Sequence, residues 1–410
     1  MSFIQGINGI NSAAQALDVI GNNIANSQTI GFKSSYVSFS DIFSGSMVGL
    51  GSQLSNVTQN FASGSMVTGS KNLDMAISGN GFFRLSDSGG KIYFTRNGEF
   101  KLNSHRQIVN LQNKFLTGYQ ARGNPPSIDS GSSIENIIIP STSMNPVVST
   151  EGEIHGNLKS DVDVPKNSIF NIKNPKSYNF TTQLEAYDSL GKKHVIKIFF
   201  VKQEAQGNWM VHGYDETSPI VDDSKNIKTN PILISFDENG NLKKSENSNK
   251  YISIDGSSLD GSDPLKVEIN LEEMTQYSSD NQINYQKING HGVGKFNDYN
   301  VSDSGKIIAN YSNGQTQLIA QIAMANFTNN LGLTPNGENC WLESAESGPA
   351  IIGLSETGSF GRISGQKLES SNVDISNELV KMMTQQSNYQ SNAQTIKTQD
   401  QLLQILVNMK

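Results

Sequence analysis

Five histidines, His105, His155, His194, His212 and His291, are the first residues to test for chemistry, because imidazole binds metals and moves protons near neutral pH. They are scattered over nearly 190 residues with no metal-ligand spacing, so each reads as a surface or strand histidine. The run from Gly290 to Phe296 has the look of a phosphate loop. Yet Asn289 stands where its first glycine belongs, and Phe296 where a hydroxyl should hold magnesium. Gly79, Asn80 and Gly81 start a dinucleotide-like pattern that fails at Arg84 and runs into a β pattern where a helix is needed. The carboxylate pairs Asp222 with Asp223 and Glu272 with Glu273 would point to opposite faces of a strand. There is no nucleophile elbow with Asp and His partners. Cys340, the only cysteine, excludes an intramolecular disulfide and a thiolate cluster, and next to Trp341 it reads as ordinary packing. No constellation is catalytic, and no cofactor or metal is expected.

Length, charge and hydropathy bound the elements that would position such residues. A chain of 410 residues holds two to four domains at about 150 residues each. With 31 basic and 38 acidic residues it carries a net charge of −7, which offers no field for nucleic acid. Nothing approaches 18 uninterrupted apolar residues, so no membrane insertion is expected. Residues 1–24 contain no Lys or Arg, which is unlike a Sec-type signal peptide.

All 11 prolines lie between Pro125 and Pro349, leaving both ends free of the residue that most reliably breaks a helix. Near the start Ile7, Ile10, Ala14, Leu17, Gly21 and Ile24 follow at spacings of 3 and 4, with Ala13 and Ile20 widening the stripe. At the other end Leu379, Met382, Gln386, Tyr389, Ala393, Ile396, Asp400, Leu403 and Val407 repeat that alternation, and Leu402, Ile405 and Leu406 extend it. Asp374 is a candidate N-cap and Glu378 a favourable first-turn charge, which predicts a helix from about Ile375 to near the C-terminus. The N-terminal helix carries Gly6, Gly9 and Gly21, each costing about 1 kcal/mol against Ala, and should be barely stable alone. Two such helices either pair with each other and with neighbouring copies, or cover a globular core.

Residues 28–72 read as extended, partly ordered chain, rich in Ser and Gly and punctuated by Phe32, Tyr36, Phe39, Phe43 and Phe61. From Leu73 the pattern becomes β, with turns predicted at Ser88–Gly90 and Asn97-Gly98. A middle block follows, with turns at Leu190-Gly191, Gly207-Asn208 and Asn239-Gly240, and a final β stretch runs from Val301 to about Phe360. The expected fold is mainly β with terminal α-helices. Residues 1–27 and 372–410 pair as a helical coiled-coil domain, and 28–72 connect it to the rest. Residues 73–145 and 289–365 form a discontinuous inner β domain, with 146–288 inserted as an outer one.

Several segments resemble a known family. Residues 23–33 (NIANSQTIGFK, with Asn26, Gly31 and Phe32) resemble the N-terminal signature of bacterial flagellar rod and hook axial proteins. Residues 73–83 (LDMAISGNGFF, with Gly79, Gly81 and Phe82) and 94–100 (FTRNGEF) are similar to two further family segments. The stretch from Leu368 through Asn372, Asp374 and Glu378 to Tyr389 is similar to the closing one. The large middle block, including Tyr187 to Gly191, resembles the outer domain of the hook member rather than the shorter distal rod protein.

The resemblance implies a structural subunit of the flagellar hook, a flexible curved tube that joins the rotating rod to the filament and transmits torque. Its implied partners are copies of itself, the rod, the hook cap, the hook–filament junction proteins and the flagellar type III export apparatus. It implies an extracellular place in the flagellum, reached without a cleaved signal peptide. Ile7, Ile10, Leu17, Ile20, Ile24, Leu379, Met382, Tyr389, Ile396, Leu403 and Leu406 are the expected polymerisation residues. A distal rod-type protein is the near alternative. A secreted β-rich adhesin or carbohydrate-binding module is the distant one, because Trp209 and Tyr214 could stack on sugars, although the alternation around Trp209 favours packing inside a β domain.

Overall fold

Helix α1 (Phe3–Ala25) and helix α2 (Ile375–Asn408) flank a chain that is otherwise almost entirely strand and turn. The computed structural model describes residues 3–43, 49–123, 125–166, 169–221, 228–243, 250–258 and 260–408. No helix among the described residues is long and apolar enough to cross a membrane. Asp374 caps α2 as its side-chain chemistry predicts, its Oδ1 accepting from the Asn377 N–H at 3.1 Å.

The chain divides into two compact units, one of residues 1–141, 298–310 and 316–410 and the other of 142–297 and 311–315. In the first unit, the described residues within 28–72 include paired strands. They form an antiparallel hairpin of β1 (Ser35–Asp41) and β2 (Ser52–Gln59), pairing Val37 with Val57 and Phe39 with Leu54 around a bulge at Ser38/Phe39. A short strand β3 (Met66–Thr68) then pairs with Lys367–Glu369, and β4 (Met75–Ser78) with Arg362–Gly365, so chain from the two ends of the sequence alternates in space.

The rest of this unit is a sheet in which Phe82–Ser86 lies between Ile92–Thr95 and Phe115–Gln120, and Thr316–Ile322 and Cys340–Leu342 extend it on either side. Its aromatic core joins Phe82, Phe94, Phe327 and Trp341, with Phe61 from the linker set edge-on to Phe82 and Trp341. Asn97-Gly98 does not close a hairpin. The strands flanking it pair elsewhere, and the glycine is needed because a Cβ there would lie 1.5 Å from the Met75 carbonyl oxygen. A sequence signal for a turn thus marks a close backbone crossing, with Met75 N–H donating to the Gly98 carbonyl.

The second unit packs two sheets face to face. One is antiparallel, in the order Phe180–Tyr187, Lys193–Lys202, Asn208–Asp215, Ile232–Ser235. In the other, Glu151–Lys159 pairs in parallel with Lys266–Asn270 and Met274–Tyr277, and antiparallel with Gln282–Ile288. Between them lie Ile154, Leu158, Ile196, Ile198, Phe200, Trp209, Ile252 and Val267. The strand around Val195–Val201 is apolar at nearly every position because both its faces are covered. Phe200 enters the core, while Phe199 is packed by Phe170 and Tyr178 on the other side.

Candidate functional site

The helix pair is antiparallel, with Asn23 of α1 opposite Glu378 of α2, Gly9 opposite Asn392 and Gly6 opposite Ile396. Small residues make this approach possible. A Cβ on Gly6 would sit 2.7 Å from Ile396, and one on Gly9 2.6 Å from the Asn392 amide. Gly6, Gly9, Ala13 and Ala16, spaced 3, 4 and 3, continue through Ile20 and Asn23 as the face that α1 turns inward. The glycines that weaken α1 as an isolated helix therefore shape its contact.

A second face of α1 is polar and holds the hairpin. Gln5, Asn8 and Ser12 donate to the carbonyls of Gly49, Leu50 and Ser52 at 2.6, 2.9 and 2.8 Å. Asn23 both donates to the Ser35 carbonyl at 2.7 Å and accepts from the Ser35 N–H at 2.9 Å.

Beyond α1 the family-like segments converge on Glu369, which is buried. Its Oε1 accepts from Lys33 Nζ at 2.7 Å and from the Gly64 N–H at 2.9 Å, and its Oε2 from Arg96 Nη1 at 3.3 Å. Lys33 also donates to the Ala62 carbonyl at 2.8 Å, and Arg96 to the Gly79 carbonyl at 2.7 Å. Burial pushes both the Lys33 ammonium and the Arg96 guanidinium below their ordinary pKa values, and Glu369 works against that shift in each. Asn372 extends the network, accepting from the Ser34 N–H at 2.7 Å and donating to Asn60 and Ala62.

Of the residues singled out from the sequence, Ile20 is buried, and Ile10, Leu17, Ile24, Met382 and Ile396 are half-buried. Ile7 and Tyr389 are exposed, as are Leu379 at 45% and Leu403 at 53%; the Leu406 side chain lies outside the described residues. One partner helix covers one side of α2. Along α2, Glu378, Met382, Gln385, Asn392, Ala393, Thr395, Ile396 and Gln399 are the more shielded positions, a face that keeps Met382, Ala393 and Ile396 of the sequence-read seam and is otherwise polar.

Asn26 closes the end of α1, donating to the Asn22 carbonyl at 3.0 Å. Gly31, at φ +70°, donates its N–H to the Glu369 carbonyl at 2.7 Å, and a Cβ there would strike the Asn97 backbone at 2.5 Å. Phe32 is half-buried. Gly79 and Gly81 carry the chain into Phe82, over whose ring Arg96 sits at 5.3 Å. Sequence reasoning missed Lys33, Arg96 and Glu369 as partners. A basic residue followed by a distant acid carries no local spacing signal, although all three fall inside the family-like segments.

Trp209 lies wholly inside the core and Tyr214 is stacked near Phe199, so neither forms a surface platform. His194 is buried with its Nδ1 against Asp215, and its Nε2 is 3.5 Å from Asp188. Among the described residues no group of His, Cys, Asp and Glu is arranged to hold a metal ion.

Four family descriptions match along the chain. They are flagella basal body rod protein over residues 5–33, flagellar hook protein FlgE/F/G D1 domain over 76–156, flagellar basal body protein FlaE D2 domain over 157–291, and flagellar basal body rod FlgEFG protein C-terminal over 364–409. The chain is 43% identical to the flagellar hook protein FlgE of Escherichia coli and 42% to that of Salmonella typhimurium, over the whole of each chain. It is 28% identical to that of Borreliella burgdorferi over all of this chain and 99% of the other. Among solved structures it resembles the Helicobacter pylori flagellar hook protein FlgE2, with a TM-score of 0.50 at 16% identity, covering 74% of this chain and all of that one. With 43% and 42% identity to two flagellar hook proteins from end to end, the chain belongs to the flagellar hook protein family.

Proposed function

We propose that this chain is the structural subunit of a flagellar hook, polymerising with copies of itself into a flexible curved tube that transmits torque between rod and filament. The observation that carries the reading is the unfinished state of the helix pair. Leu379, Val380, Met383, Leu402, Leu403 and Ile405 are all exposed along α2, and Val407 is 73% exposed. At about 1.5 Å per residue the 34-residue α2 spans about 51 Å and the 23-residue α1 about 35 Å. Since Gly6 already lies opposite Ile396, the last two turns of α2 outrun the described part of α1. Two exposed apolar clusters, at 379–383 and 402–407, offer surface to neighbouring copies, and repeated contacts that do not close on themselves build a helical tube.

The helices, weak alone, stay unfolded during export through a flagellar type III channel and order at the growing tip, where many contacts form together. On this reading the protein acts outside the cell, is exported without a cleaved signal peptide, and meets the rod, the hook cap and the junction proteins at its two ends. Residues 1–27 with 372–410 are the polymerising domain, 28–72 connect it, 73–145 with 289–365 form the inner β domain, and 146–288 the outer one that shifts during bending. The role involves no catalytic step.

Electron microscopy of the purified protein, concentrated in salt, tests the reading: tubes are expected from the full chain and none from a chain lacking residues 1–24. A full chain that stays monomeric at every concentration overturns it. Deleting residues 146–290 should leave tubes with altered curvature, and loss of all tubes would assign the outer unit to assembly rather than mechanics.

A further inference from the structure

We propose that Glu369 is a positioning residue that couples the two ends of the chain, so that the segment around Lys33, the linker at 60–64 and the stretch 366–372 order together or not at all. Its importance for assembly rests on the hook-subunit reading, but the coupling is a property of a single chain. The contacts give it its form. One carboxylate meets two cations delivered by different segments, Lys33 at 2.7 Å and Arg96 at 3.3 Å, with all three side chains buried. The same residue accepts the Gly31 N–H on its backbone and the Gly64 N–H on its side chain. The approach is close as well as polar: a Cβ on Gly64 would lie 2.0 Å from the Ser370 carbonyl oxygen.

Charge makes the arrangement conditional. The ionic groups acting on Lys33 are Glu369, which holds its proton on, and Arg96, which repels it. Without the C-terminal segment, Lys33 and Arg96 would bring two like charges into a dry site with no counter-ion from Glu369, and a buried unpaired charge is strongly unfavourable. The N-terminal segment therefore has no stable seat until Glu369 arrives. Once it has, Asn372 with Ser34, and Glu378 with Asn23, carry the order on into the helix pair.

The test is a double-mutant cycle on the full chain, comparing E369Q, K33M and K33M/E369Q with the parent protein. Amide hydrogen exchange is read over residues 26–34, 60–64 and 366–372, in the soluble protein and in its tubes. In whichever state the parent protects these segments, E369Q should speed exchange at least tenfold in all three at once. K33M alone should change it less than threefold. K33M/E369Q should exchange more slowly than E369Q, because one of the two stranded cations has been removed. Exchange over residues 195–215, in the second unit, should be unchanged in every variant. Faster exchange confined to 366–372, a double variant as fast as or faster than E369Q, or a parent protein that protects these segments in neither state overturns the proposal. Coupled exchange in a protein that never forms tubes would instead overturn the hook reading and leave this one standing.

Discussion

Asn23 and Glu378, 355 positions apart, hydrogen-bond at 3.1 Å across the antiparallel helices in a buried setting. Asn23 reaches the Ser35 backbone with the same amide, so one side chain ties helix to helix and helix to hairpin. Replacing it by Ala leaves the Ser35 N–H and carbonyl without these partners, and Glu378 with Lys381 at 2.6 Å as its remaining side-chain partner. Asn23→Ala should cost about 2 to 3 kcal/mol of helix-pair stability, measured by urea unfolding followed by far-UV circular dichroism.

Glycines of α1 that look alike in sequence should respond in opposite directions. Nothing lies within 4 Å of a Cβ built on Gly21, so Gly21→Ala should stabilise α1 by about 1 kcal/mol. Gly6→Leu places bulk where a first carbon already meets Ile396 at 2.7 Å, and should separate the helices and abolish tubes. Helicity and electron microscopy of the two variants check this. Equal effects of the two substitutions would contradict the packing described.

Phe61 packs at 5.5 Å from Trp341 and 5.6 Å from Phe82, anchoring the linker on the inner β core. Phe61→Ala should lose about 3 kcal/mol and expose residues 60–64 to protease while the second unit stays intact. Limited proteolysis with mass spectrometry of the fragments reads both outcomes.

His212, stacked on Phe170 at 3.9 Å, has its pKa lowered to about 4 by burial. A histidine depressed in the folded state stabilises that state while it is neutral. Its contribution is complete above the ordinary value of 6.5 and is lost as pH falls from there toward 4. The loss should reach about 3 kcal/mol at most, visible in thermal unfolding of the second unit between pH 7 and 4. His212→Phe should flatten that part of the profile.

What the sequence disclosed and what it hid divides by distance along the chain. The start of α2 at Ile375 was legible because Asp374 acts within one turn. The hairpins at Gly191, Gly207 and Gly240 were legible because each turn needs positive φ at that residue. Asn97-Gly98 carries the same local signal, but its glycine answers to Met75 across space, which no window over the sequence contains. The same limit hid the Glu369 contacts. The face of α1 was misweighted for a different reason: hydrophobic periodicity rewards Ile and Leu, whereas close helix contact here uses Gly6, Gly9, Ala13 and Ala16. Glu151–Lys159, with only Ile154 and Leu158 apolar, carries no alternation that marks a strand, and nothing local separates its parallel from its antiparallel partners.

That strand sets the tempo of folding. Gly152 pairs with Ile269 on one side and Ile288 on the other, and Gly156 with Met274 and Ile283, all more than a hundred residues downstream. Closing so large a loop precedes any reward from the contacts, which makes folding slow. If the chain is exported as the hook-subunit reading proposes, this sheet cannot close until residue 288 has cleared the channel, so its topology leaves the strand unpaired in transit.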